Sequence, residues 1–224
     1  MNEYVIDGVE LTNSKLNVRI FYYGFKRLFD IIFSIYGLFM LLIATILVKI
    51  GYMLCGDFKS VFYTQQRIGK NGKLFKFYKF RTMCKDADKV LEDLLKSDPL
   101  IREEYNINKK LKNDPRVTKV GKIIRKLSID EMPQFINILK GDMSLIGNRP
   151  YLPREIDDMG NYYNDIVSTK PGLTGYWQVN GRSNTTFLKR LQLEREYSRI
   201  ASLWLDIKIF FKSLPAVLLC RGAE

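Results

Sequence analysis

With 224 residues the chain is long enough to bury one core and short for two full domains. A formal net charge of +12, from 36 basic and 24 acidic residues, points to an anionic partner: a lipid surface, a phosphorylated substrate or nucleic acid. Histidine is absent, which excludes Ser-His and Cys-His nucleophile systems, and the three cysteines have neither metal-ligand spacing nor the density of a disulfide framework. Chemistry in this chain must run on carboxylates, Lys, Arg, Tyr or a metal ion, and a reducing compartment is the default.

Residues 1–25 lack the basic start, apolar core and small-residue cleavage site of a signal peptide and are read as a short lead-in. Residues 31–48 carry no charge; these 18 residues, at about 1.5 Å each, reach roughly 27 Å, close to the roughly 30 Å hydrocarbon core of a bilayer. Lys26 and Arg27 flank the run on one side and Lys49 on the other, so the positive-inside rule assigns no polarity and a re-entrant or interfacial helix is favoured over a full span. A buried core helix is the alternative, although core helices are usually shorter and carry a polar stripe.

Residues 61–80 alternate apolar side chains with lysines around Leu74, Phe75, Phe77 and Phe80, and Asn71-Gly72 supplies two turn residues tolerant of positive φ, so a β-hairpin is predicted. Ala87, Val90, Leu91, Leu94 and Leu95 follow at helical spacing until Asp98-Pro99 ends the run. Residues 102–112 read as a solvated helix or loop, and 117–127 as a basic helix capped by Thr118 or Asp114. Ser128 and Glu131 match a capping box, whereas Pro133 suits the first position of a following helix; both versions set Asp130 and Glu131 near a helix start. Residues 170–175 form a loop punctuated by Gly and Pro, and 188–201 a charged helix. The last helix, 203–214, gathers Leu203, Trp204, Ile207, Phe210, Phe211 and Leu214 on one face with Asp206, Lys208 and Lys212 off it, a stripe suited to a membrane interface or to core packing.

The chemistry is expected between Arg125 and Pro150, where adjacent Asp130 and Glu131 stand between Arg125 and Arg149. A carboxylate can attack a phosphoryl group while its neighbour supplies one ligand to a magnesium ion that also holds the substrate phosphates, and arginines suit the remaining phosphate oxygens. Helix capping, worth about 0.3–1 kcal/mol, is the plainer role for the same acids. Lys79 and Arg81, two apart on a strand, point to one side and face either solvent or the site. Asp142 serves a turn or catalysis, and Gly181-Arg182-Ser183 either holds nucleotide or sugar or closes a turn.

Eight ordered blocks carry a resemblance. They are Lys26-Arg27-Leu-Phe-Asp30, Gln66-Arg67-Ile-Gly-Lys-Asn-Gly72, Lys79-Phe-Arg81-Thr-Met83, Asn113-Asp-Pro-Arg-Val-Thr118, Asp130-Glu-Met-Pro-Gln134, Lys140-Gly-Asp-Met-Ser-Leu-Ile-Gly147, Lys170-Pro-Gly-Leu-Thr-Gly175 and Gln178-Val-Asn-Gly-Arg182. From Lys26 to the C-terminus the chain resembles the bacterial polyprenyl-phosphate sugar-1-phosphate transferases, the monotopic phosphoglycosyl transferases. The resemblance implies a mostly α protein with a small β-hairpin (α+β), embedded by a re-entrant N-terminal helix and interfacial amphipathic helices at the cytoplasmic face of the bacterial inner membrane. Its expected divisions are a lead-in at 1–25, a membrane-embedded helix at 26–54 and a catalytic domain at 55–224.

By the same resemblance Asp130 attacks a UDP-sugar, UMP leaves, and undecaprenyl phosphate takes the phosphosugar. Glu131 would bind the magnesium ion, Lys79 would match the active-site lysine with Arg81 beside it, and Arg125, Arg149 and Arg182 would handle phosphate. Glu194 stands where an aspartate is common and joins Asp142 as a further candidate. The wording from Gly175 to Ser183 and the Arg221-Gly-Ala ending look more like the hexose-1-phosphate branch than the amino-sugar branch. Three departures stand out: Leu42-Ile43 replaces a helix-breaking Ser-Pro, so that Gly37 or Ala44-Thr45 would have to host a bend; Lys59-Ser60 replaces Gly-Pro; Asn148 replaces the first proline of Pro-Arg-Pro. No nucleic-acid role is expected, and homo-oligomers are left open. The competing reading is a basic membrane-surface binder or scaffold without turnover.

Overall fold

A computed structural model describes the backbone at residues 4–6, 9–11, 13–181 and 185–218, with side chains at 18–181 and 185–215. Two short antiparallel strands, β1 (Tyr4–Ile6) and β2 (Val9–Leu11), precede a 42-residue helix, α1 (Asn13–Leu54). The helix therefore begins inside the segment read as a lead-in. Its length, about 1.5 Å per residue, comes to roughly 63 Å.

Along α1 the residues Tyr22, Asp30, Ser34, Leu41, Ala44, Val48 and Tyr52 are buried at spacings of three, four, seven or eight, which keeps them on one face. The other faces expose Ile32, Ile35, Phe39, Leu42, Ile46, Leu47 and Ile50. From Val18 to Leu54 the helix is long and apolar enough to cross a membrane by length and composition. Neither of the two expected bend points interrupts it. Gly37 is a contact glycine: a Cβ there would meet the Phe135 ring at 2.5 Å. Thr45 donates its hydroxyl back to the Leu41 carbonyl at 2.7 Å within the unbroken turn.

The predicted hairpin is present as β3 (Phe62–Ile68) and β4 (Leu74–Phe80), paired antiparallel with Tyr63 opposite Lys79 and Arg67 opposite Phe75. Its connection is longer than a two-residue turn, yet Asn71 and Gly72 do adopt positive φ, 56° and 77°. Helix α2 (Ala87–Ser97) ends at Asp98, whose carboxylate then accepts from the Leu100 and Ile101 amides to cap α3 (Pro99–Asn108). Thr118, not Asp114, caps α4 (Lys119–Lys126), accepting from the Gly121 amide at 2.9 Å; Asp114 instead pairs with Arg116 at 2.6 Å.

Helix α5 (Gln134–Lys140) leads into β5 (Ser144–Ile146), and the expected loop at 170–175 contains β6 (Gly172–Thr174), parallel to β5. Sequence periodicity is silent on that pair, because two three-residue strands held by glycine contacts carry no alternation. A Cβ on Gly172 would lie 2.1 Å from the Gly147 amide nitrogen, so only glycine lets the two backbones meet. The remaining helices are α6 (Ile156–Met159), α7 (Tyr163–Val167), α8 (Tyr176–Asn180), α9 (Phe187–Ile200) and α10 (Leu203–Leu218).

One core cluster joins the hairpin to α5, β5, α9 and α10 through Phe75, Phe77, Ile138, Met143, Tyr197 and Ile209. A second packs the C-terminal half of α1 on Val61, Phe80 and Ile124. On α10, Trp204 and Phe211 face outward while Asp206 is buried. Asp206 lies off the aromatic stripe, as the spacing requires, but the side it occupies is the protein interior. The result is a mostly helical α+β protein with a small hairpin and a long apolar N-terminal helix, as the sequence reading expects.

Candidate active site

Asp130 and Glu131 sit in a single 3-10 turn, Ile129–Glu131, between α4 and α5. Ser128 enters that turn in the left-handed region at φ 55° and makes no capping bond, so the capping-box alternative fails and the acids lie just ahead of Pro133 and α5. The penultimate residue of β4, Lys79, reaches both: its Nζ is 3.1 Å from Asp130 Oδ2 and 3.3 Å from Glu131 Oε1. The Asp130 side chain is 11 % exposed and that of Glu131 37 %, so one acid is sheltered and the other open. Among the described residues Lys79 is the one side chain that donates to Asp130, which leaves most of the carboxylate's acceptor capacity free.

What fixes this register is a residue the sequence reading passed over. Asn137, on α5 and fully buried, accepts from the Tyr78 amide at 3.1 Å and donates to the Lys76 carbonyl at 2.7 Å. It thereby satisfies the edge of β4 that β3 does not cover and ties the helix after the acids to the strand that carries Lys79. A polar residue between Phe135, Ile136, Ile138 and Leu139 was the available signal. Asp142 accepts from the same Asn137 amide at 3.3 Å, which places it in this support.

The other candidates separate. The Arg81 guanidinium turns away from the acids, donating to Asp57 at 2.9 Å and to the Ser60 carbonyl at 2.9 Å and lying 4.3 Å from the Tyr52 ring centre. The i, i+2 argument holds for Cβ directions within a strand, but β4 ends at Phe80 and Arg81 lies past it. Arg125, in the last turn of α4, donates Nε to Thr82 Oγ1 at 3.1 Å, three residues from Lys79. Arg149 follows β5, and its amide donates to Glu194 Oε1 at 2.9 Å. Glu194 on α9 is fully buried, and burial pushes its carboxyl up to about 7 against the favourable contacts of Tyr151, the Arg149 amide and the Arg190 charge. Arg182 lies outside the described residues.

Strand alternation puts Tyr63, Gln65 and Arg67 on the same sheet face as Lys79. Arg67 donates to the Pro150 carbonyl at 3.0 Å and to Gln65 Oε1 at 3.2 Å, and burial, with Arg149 nearby, lowers it to about 10. Arg67 thus lies four residues along β3 from Tyr63, the partner of Lys79, with Arg149 nearby. No group of three or more Cys, Asp or Glu that could hold a metal ion occurs among the described residues. Magnesium in phosphate sites needs only one or two carboxylates beside substrate oxygens and water, and the open Glu131 carboxylate fits that demand.

Fold and site together define a mostly helical α+β protein with a long apolar N-terminal helix and an acid pair bridged by a lysine. The family model for bacterial sugar transferases matches residues 21–220, and the chain belongs to that family. It is 42 % identical over 198 residues to the exopolysaccharide production protein ExoY of Sinorhizobium fredii, covering 88 % of this chain and 87 % of the relative. It is also 42 % identical over 201 residues to the undecaprenyl-phosphate galactose phosphotransferase of Salmonella typhimurium, covering 88 % of this chain and 41 % of that protein. The galactosyl transferase CpsE of Streptococcus agalactiae serotype III is 43 % identical over 200 residues, 89 % of this chain and 43 % of its own length. The chain thus spans most of ExoY but less than half of the two longer relatives.

Proposed function

We propose that the chain moves a hexose 1-phosphate from a UDP-sugar to undecaprenyl phosphate in two steps, initiating polysaccharide assembly at the cytoplasmic face of the inner membrane. The observation that carries the reading is Lys79 bridging Asp130 and Glu131 at 3.1 and 3.3 Å beside partly free acceptor capacity on Asp130. An Asp130 oxygen attacks the sugar-bearing phosphorus, the bond to the bridging oxygen breaks, and UMP leaves with that oxygen. A phosphate oxygen of the lipid then attacks the same phosphorus, a new diphosphate forms, and the Asp130 carboxylate is released. A carboxylate nucleophile needs no base to deprotonate it, which suits a chain without histidine. Lys79 orients Asp130, and Glu131, with its open carboxylate, would hold the magnesium ion, which supplies positive charge to the phosphate oxygens when bound.

The names of the relatives support the lipid carrier and the hexose: one is an undecaprenyl-phosphate galactose phosphotransferase and one a galactosyl transferase. For the topology, protein covers one face of α1 from Tyr22 to Tyr52, whereas a spanning helix would shed such contacts for a full membrane thickness. An in-plane or re-entrant helix in one leaflet, with Trp204 and Phe211 of α10 at the interface, fits that packing.

The test is UMP release from a panel of UDP-sugars, with and without undecaprenyl phosphate and magnesium, combined with intact-mass detection of a phosphosugar adduct. Lipid-dependent release from one donor and an adduct lost in Asp130→Asn are expected. No release from any donor, with lipid and polyanions bound equally by the variant, would return the chain to the non-catalytic binder.

A further inference from the structure

The sheet face that carries Lys79 also carries an exposed aromatic ring. Tyr63 on β3 is the direct cross-strand partner of Lys79 on β4, so both side chains leave the sheet on one side, with their Cβ atoms about 4.5–5.5 Å apart. Lys79 in turn holds Asp130 and Glu131 at 3.1 and 3.3 Å. The other aromatic residues of the hairpin are engaged: Phe62 stacks on Phe80, Phe75 meets Phe77 edge to face, and the Tyr78 hydroxyl accepts from Lys140 at 3.1 Å. Tyr63 is 41 % exposed and has neither a ring contact nor a hydrogen bond to its hydroxyl among the described residues.

The charged groups that act on the Tyr63 phenol are Asp88, in the first turn of α2, with Arg67 and Arg154; burial and the Asp88 charge raise its pKa. Arg154, in the 3-10 turn Pro153–Glu155, donates to Asp88 Oδ1 at 3.3 Å, and both side chains are more than half exposed. That bond uses one Asp88 oxygen and one end of the guanidinium, so a carboxylate acceptor and several N–H donors stay available to a ligand. An aromatic face with an acceptor and a donor group beside it suits a pyranose. The ring covers the C–H face of the sugar, and the polar groups meet its hydroxyls.

We propose that Tyr63 is the platform on which the transferred hexose stacks, and that Asp88 and Arg154 bind its hydroxyls. This deepens the transferase reading above and rests on it. The phosphorus that Asp130 attacks in that reading carries the sugar directly, whereas the uracil lies beyond a second phosphate and a ribose. The part of the donor within one side chain's reach of Lys79 is therefore the sugar. Asp88 on α2 and Arg154 after β5 stand on other elements than the acid turn, so the choice of sugar is separated from the groups that handle the phosphorus. A site that hydrogen-bonds a sugar hydroxyl discriminates against donors lacking it, because its polar groups are then left unpaired.

The experiment is calorimetric binding of UDP-galactose, UDP-glucose and UMP to the full chain in detergent, for wild type, Tyr63→Val, Tyr63→Phe and Asp88→Ala, with melting temperatures alongside. Tyr63→Val removes the ring but keeps the β-branched shape a strand favours. It should weaken binding of the preferred UDP-hexose by about fivefold to tenfold and that of UMP by less than about twofold. Tyr63→Phe keeps the ring and should bind within about twofold of wild type, which separates stacking from any effect on the strand. Asp88→Ala should cost about threefold or more for the UDP-hexose and leave UMP unchanged. Wild-type affinity for the UDP-hexose in a folded Tyr63→Val protein, equal losses for UDP-hexose and UMP, or no preference of wild type for UDP-hexose over UMP overturns the sugar platform. Failure of the transferase reading shows separately, as absence of UMP release by a wild-type protein that binds the donor.

Discussion

Two lysine–aspartate pairs in this molecule look alike on paper and differ in what surrounds them. In one, Lys79 reaches Asp130 at 3.1 Å, a second acid stands beside it, and no other side chain among the described residues donates to Asp130. In the other, Lys26 on α1 pairs with Asp206 on α10, and the same carboxylate also accepts from Tyr22 at 2.9 Å and Tyr197 at 2.7 Å. Lys26 goes on to donate to the Ile146 carbonyl at 2.8 Å. The Asp206 pair is saturated from within and locks α1 to the body of the protein. The Asp130 pair keeps acceptor capacity that no side chain among the described residues fills beyond Lys79. Saturation, more than residue type, separates the two pairs.

Substitutions can break that contrast in order of size. Asp130→Asn should abolish the phosphosugar adduct and lower UMP release by at least about a thousandfold, while thermal unfolding stays within a few degrees of wild type. Adduct formation at the wild-type rate would remove Asp130 from the nucleophile's place. Asp206→Asn should do the reverse, costing about 3–5 kcal/mol in denaturant unfolding because Lys26 is left buried without its counter-charge, with turnover per folded molecule largely kept. The double change Lys26→Met with Asp206→Leu should recover most of that loss, since an apolar pair of similar volume carries no stranded charge. Equal stability of Asp206→Asn and wild type would show the pair to be dispensable.

A third variant, Glu131→Gln, sharpens the Asp130 side. It should raise the magnesium concentration for half-maximal UMP release by about tenfold or more, and an unchanged metal titration would assign the metal elsewhere. The smallest effect is expected at Gly37→Ala, where a Cβ 2.5 Å from the Phe135 ring must push α5 and the acid turn away from α1. Overpacking of about 1–3 kcal/mol is offset by about 1 kcal/mol of helix propensity, leaving a modest net loss in thermal unfolding. A stabilised variant would mean that the ring moves freely.

Much of the site was legible because its residues are close in the chain or sit on a strongly patterned element. Asp130 and Glu131 are adjacent, and Lys79 lies on a strand marked by alternation and an Asn-Gly turn. Helix α2 was visible from apolar spacing, α4 from a capping residue and its basic run, and α9 as a charged helix. Arg81 was misplaced because strand direction was extended one residue past the strand's end. Asn137, Arg190 and Asp206 were missed because each matters through a partner 9 to 184 positions away, as the Asn137–Lys76, Arg190–Trp177 and Tyr22–Asp206 contacts show.

By itself the sequence determined the family, because the eight ordered motif blocks are runs of neighbouring residues, and it placed an apolar helix, a basic hairpin and an acid pair between arginines in a chain without histidine. Only the tertiary structure decided which charges stay available. It saturated Asp206 with Tyr22, Lys26 and Tyr197, drew Arg81 to Asp57, and set the Arg190 guanidinium against the Trp177 ring. The reason is that hydrogen-bond satisfaction depends on distances between segments far apart in sequence, which no local pattern encodes.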